Sequence, residues 1–147
     1  MAAVTFISVG NESRAAEILD DVLAEIRQLP QIGFAAVWAH GLAWVARMLG
    51  RPEDVVEAMK DEPADTPWIH AARAVAAGDF VRAADLFLEI GAPTEEAFYR
   101  LRAAESFVAE GRRGEADAQL GPALAFYRSV GATRYVREGE ALLAASA

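Results

Sequence analysis

The chain has 147 residues, 54% apolar and 24% charged, a globular composition with the length of one domain. Twenty-two acids against fourteen bases leave a net charge of −8, which argues against nucleic acid as a partner because counterion release needs clustered Lys and Arg. The absence of cysteine excludes disulfides, thiolate metal sites and a cysteine nucleophile.

The first doubtful piece is Val4 to Val9, readable as a short strand or as a truncated helix. From there the pattern is of helical period. Ser13 is placed to cap a helix carrying Ala16, Ile18, Leu19, Val22, Leu23 and Ile26, ended by Leu29 and Pro30. A second helix is expected from about Gln31 to Leu49, stopped by Gly50. Pro52, Glu53 and Asp54 open a short third helix through Lys60, the acids complementing the positive end of the helix dipole. Thr66 and Pro67 start a fourth, stopped by Gly78; the fifth runs from Asp79 to Ile90 and stops at Gly91. Pro93 opens a sixth, ending near Gly111. The seventh covers about Arg112 to Val130, with a kink or break expected at Gly121-Pro122 because proline lacks a donor and clashes one turn back. The last spans about Thr133 to Ala144.

No stretch reads as a membrane span. The longest nearly apolar run, Ile32 to Ala46, is about 15 residues and contains His40, against roughly 20 needed to cross the hydrocarbon core. The N-terminus lacks the basic region and hydrophobic core of a targeting signal, so a cytoplasmic location is expected.

The breaks between helices recur. Gly78, Ala83 and Phe87 are matched 33 residues later by Gly111, Ala116 and Leu120. Weaker copies are Gly50, Val55, Met59 and Gly10, Ala15, Leu19. A small residue that lets two helices approach, then a large one that fills the gap to the next hairpin, is the layout of a tetratricopeptide-like repeat. One hairpin cannot bury its own apolar face, so several must stack. The expected fold is all-α: a tetratricopeptide-like right-handed α-solenoid of about four helical hairpins, with residues 1–147 as a single helical-repeat domain. An ordinary helical bundle is the alternative.

Phe87 to Glu105, Glu110 to Leu120, Ala125 to Tyr135 and Glu140 to Ala144 together resemble the C-terminal helical-repeat tail of large actinobacterial signalling proteins. In those proteins a nucleotide-cyclase or LuxR-type DNA-binding domain is joined to an ATPase module and a long tetratricopeptide-like (MalT-like) array. The resemblance covers residues 79–147 and is faint before them. It implies a repeat scaffold, the C-terminal part of a larger protein, and carries over no catalytic residue.

Chemistry is sparsely represented. Phosphate-binding, dinucleotide, zincin and nucleophile-elbow motifs are all missing, and Lys60 is the only lysine. His40 and His70 stand thirty residues apart without a second ligand at helical spacing, and His70 falls where a repeat places a packed core residue. Adjacent carboxylates such as Asp20-Asp21 and Glu95-Glu96 point about 100° apart on a helix and do not share a substrate. No catalytic residue, cofactor or metal is expected. Arg100, Arg102, Arg112, Arg113, Arg128, Arg134 and Arg137 form a basic stretch that either meets an acidic partner or pairs with nearby Glu residues.

The second helix is apolar on almost every side, which calls for burial on more than one face. Aligned with the later hairpins, Val37, His40, Trp44, Arg47 and Met48 face an inner groove that Trp68, Val75, Phe98, Leu101 and Glu105 continue. An aromatic, Met-containing concave surface suits a peptide or helix. The alternative is that Trp38 and Trp44 pack between hairpins. The expected function is a non-enzymatic protein-interaction or regulatory scaffold, its partner a protein, a peptide or upstream domains of the same parent chain. A sensor domain holding a small apolar ligand in the groove is the alternative. The apolar N-terminal half, Phe6 included, further predicts a homodimer.

Overall fold

The computed structural model describes residues 10–63 and 65–145. The expectations for Val4 to Val9 and for Phe6 lie outside them. Eight α-helices and one 3-10 helix follow one another, with no strand among the described residues. They are α1 (Glu12–Ile26), η1 (Gly33–Trp38), α2 (Ala39–Met48), α3 (Pro52–Ala58), α4 (Pro67–Ala77), α5 (Phe80–Ile90), α6 (Pro93–Ala109), α7 (Arg113–Ser129) and α8 (Thr133–Ala145). The chain divides into two compact units, Met1–Gly78 and Asp79–Ala147.

Local chemistry explains where the helices begin. Asn11, rather than Ser13, caps α1 by accepting from the Arg14 N–H at 3.2 Å. Thr66 and Asp79 do the same for α4 and α5, accepting from Ile69 and Arg82. Four helix ends close alike, a backbone N–H reaching five residues back: Arg51 to Ala46, Ala92 to Phe87, Arg112 to Phe107 and Ala132 to Tyr127, at 2.8–2.9 Å.

Two expectations change. The second helix is not one α-helix: its first part, Gly33–Trp38, is 3-10. No side chain caps that segment, and its tighter bonds, such as Ala35 N–H to Ile32 carbonyl, occupy groups an α-helix leaves bare. Nor is it buried all round, since Phe34 is 86% and Trp38 66% exposed. The second change is at Gly121-Pro122, where α7 runs through without the break expected there. Pro122 is exposed, and so is Ala118, whose carbonyl loses its donor, so water can replace the missing bond.

In the first unit, α2 packs on α3 and also on α4, two elements away; α1 packs on α2 and α3. Arg51 joins α1 to the start of α3 through Asp20 at 2.6 Å and Asp54 at 2.7 Å, which holds the Asp20 carboxyl below its usual range. In the second unit each helix packs on its neighbour in sequence, and α6 also touches α8. Its core joins Ala97, Leu101 and Ala104 of α6 to Leu120, Ala123, Leu124 and Tyr127 of α7. Phe87 stacks on Tyr99 with centroids 5.4 Å apart, and burial pushes the Tyr99 phenol up.

The recurring triplets coincide with burial. Ala15 and Leu19, Val55 and Met59, Ala83 and Phe87, and Ala116 and Leu120 are all at most 1% exposed. The glycine preceding each pair, Gly10, Gly50, Gly78 and Gly111, has φ between 71° and 79°.

Candidate functional site

The expected groove residues fall in both units. In the first, Val37 lies on η1, His40, Trp44, Arg47 and Met48 on α2, and Trp68 and Val75 on α4. Met48 is 41% exposed, while Val37, His40, Trp44, Arg47 and Trp68 are half-buried. Val75 offers no surface: it is wholly buried. Burial lowers the His40 pKa to about 4, which keeps the imidazole neutral near pH 7. Arg47 closes the end of α4, its Nη1 donating to the Ala76 carbonyl at 2.9 Å. A cation there also complements the negative end of the helix dipole.

In the second unit, Phe98, Leu101 and Glu105 share α6. Leu101 is fully buried in the α6–α7 core and so is not a groove residue. A leucine between an aromatic and a glutamate satisfies the same spacing from inside the core as from its surface. Phe98 is half-buried, edge-on to Tyr99 at 5.1 Å, with the Arg102 guanidinium 5.2 Å from its ring centre. Arg102 Nη1 binds the Glu105 carboxylate at 2.9 Å and Nη2 binds Glu138 of α8.

Among the described residues of the first unit, and outside the expected set, Phe34 and Trp38 are the most exposed aromatics. Their exposure follows from the 3-10 segment, which the apolar pattern did not distinguish from an α-helix. His70 is exposed and pairs through Nε2 with Asp65 at 2.6 Å, so it is not the packed core residue expected. Most of the basic stretch is engaged with acids: Arg100 with Glu96 and Asp85, Arg102 with Glu105 and Glu138, Arg112 with Glu110 and Glu115, Arg113 with Asp117, and Arg128 with Glu140. That leaves little net positive field for an acidic partner.

A cleft of about 230 Å³ lies between the end of α1 and the end of α3. Ile26, Leu29 and Ile32 form its apolar wall, and Arg27, Glu57, Lys60, Asp61 and Glu62 its polar one. Glu62 accepts from the Ile32 N–H at 2.6 Å, and Lys60 pairs with Glu57. So many charges suit an apolar ligand poorly. Among the described residues no cluster of three His, Asp or Glu could hold a metal ion, and no helix is long and apolar enough to cross a membrane. The chain matches no family model, no curated protein and no solved structure.

Proposed function

We propose that the chain is a non-enzymatic protein-interaction or regulatory scaffold, a right-handed tetratricopeptide-like solenoid whose partner is a protein or peptide. One observation carries the reading: the glycine, small and large positions recur four times, each glycine at positive φ and each following pair buried. The second-neighbour packing of α2 on α4 and of α6 on α8 is what stacked hairpins require, and it supports the same reading. On this reading Trp44, Met48 and Trp68 are the partner-contacting residues of the first unit, and Phe98 and Glu105 those of the second, each unit taken by itself. Upstream domains of an actinobacterial signalling protein are one source of such a partner. The intact mass of the native gene product tests that source, and a mass matching 147 residues removes it.

A photo-crosslinking residue at Met48 or Phe98, in the full chain expressed in its native host, should trap a protein partner. The same residue at Val56 of α3 or Leu88 of α5 should not. Equal trapping at all four positions would reject the assignment. A copurified small apolar molecule in native mass spectra, with no protein adduct, would favour the sensor alternative.

A further inference from the structure

Arg102 of α6 is only 14% exposed, yet it serves two carboxylates: Glu105 one turn along its own helix and Glu138 on α8. One guanidinium balances one negative charge, so with both carboxyls ionised the cluster carries an unmatched charge in a half-buried place. Glu105 sits on Nη1 and Glu138 on Nη2 of the same guanidinium, so the two carboxyls are brought side by side. Two carboxylates are acceptors only; a bond between them requires that one be protonated. With one proton present, the charges balance and every helix contact of the cluster is attractive.

We propose that Arg102, Glu105 and Glu138 form a proton-operated latch for α8: a proton shared by the two glutamates docks α8 on α6, and its loss to solvent loosens α8. The surroundings favour the proton. Burial raises the Glu105 pKa and the Glu138 charge raises it further, while Arg102 works against both. From α7 the facing titratable group is Tyr127, whose ring stacks on Tyr135 of α8 at 4.7 Å and whose phenol is itself pushed up by burial. On α5, which also packs on α6, Asp85 and Glu89 are engaged by Arg100 and Arg82. What the latch controls is apolar surface: α8 covers Leu101, Leu124 and Tyr127 through Gly139 and Tyr135.

An ordinary surface ion pair behaves in the opposite way, weakening only when acid protonates its carboxylate. Hydrogen exchange on the full chain, corrected for intrinsic rates, separates the two between about pH 8 and about pH 4.5, the ordinary glutamate value above which the Glu105 carboxyl is raised. Protection of α8 relative to α6 should rise several-fold towards the acid end. Glu105→Gln, which imitates the protonated acid, should hold α8 at its acid-end protection throughout. Glu138→Gln, the second variant should the first fail to fold, should likewise flatten the profile. Wild-type protection that is flat or falls with acid, lower α8 protection in Glu105→Gln at about pH 8, or an unchanged slope in Glu138→Gln would each overturn the latch.

Discussion

The guanidinium of Arg47 lies so close over Gly78 that a β-carbon there would stand 2.9 Å from Nη2. The same side chain donates to the Ala76 carbonyl, so one residue of α2 fixes the end of α4. Gly78 has φ +79°, which costs a residue with a β-carbon about 1–2 kcal/mol before any contact is counted. Gly78→Ala should therefore cost more than that in denaturant melts. Arg47→Ala should recover only the contact part, so the double variant is less destabilised than the sum of the singles.

Phe87 and Leu120, equivalent positions of the repeat, are 0% and 1% exposed. Truncating either to alanine should cost about 2–5 kcal/mol. Leu88→Ala, at a position 57% exposed, should stay within about 0.5 kcal/mol. Losses below about 1 kcal/mol at both buried positions would contradict the repeat alignment.

Two helical glycines should respond to alanine with opposite signs. Gly41 in α2 has no heavy atom within 4 Å of its missing β-carbon, so Gly41→Ala should stabilise by up to about 1 kcal/mol. At Gly139 the new carbon would meet Leu124 Cδ2 at 2.8 Å and Cγ at 3.2 Å. Leu124 is only 3% exposed and has little room to yield, so Gly139→Ala should destabilise by about 1–2 kcal/mol. Thermal melts of the two variants check both signs.

His40 sets a pH dependence on the first unit. Its folded pKa of about 4 lies below the ordinary 6.5, so between these values the unfolded chain binds more protons. Stability is fully present above about 6.5 and is lost as pH falls, at up to about 1.4 kcal/mol per unit. His40→Gln should remove that slope from urea titrations of the first-unit helices. An identical slope in the variant would assign the loss to other groups.

Trp38, at 66% exposed, should dominate quenching of tryptophan fluorescence by acrylamide, because Trp44 and Trp68 are half-buried. Trp38→Phe should shift the remaining emission to the blue. A homodimer through the N-terminal half, as the sequence predicts, that covers exposed Phe34 and Trp38 should lower quenching as protein concentration rises, and Phe34→Glu should abolish that change. Light scattering that reports a monomer at high micromolar concentration would reject the dimer.

Helix content was legible because its punctuation is local. Pro67 after Thr66, and the glycines after Ala77 and Ile90, mark ends that backbone chemistry dictates without tertiary help. Burial was legible where spacing and size agreed, as at Ala83 with Phe87. It was not legible on α2, where apolar residues on every side give no direction, and where the 3-10 turn of η1 changes which side chains face out. Leu101 and Phe98 show the same limit: three residues apart on α6, one is sealed in the core and the other reaches the surface. The Arg102–Glu138 pair spans 36 positions, and no pattern within one helix announces it.

Arg100, 8% exposed, binds Asp85 on α5, Glu96 on its own helix and Gln119 on α7. In an array where each helix touches only its neighbours, an end can fray while the rest stands. Detaching either α5 or α7 here would strand a donor of a sheltered guanidinium, so the loss of one helix penalises the others. That makes α5, α6 and α7 a single cooperative block that should melt in one step.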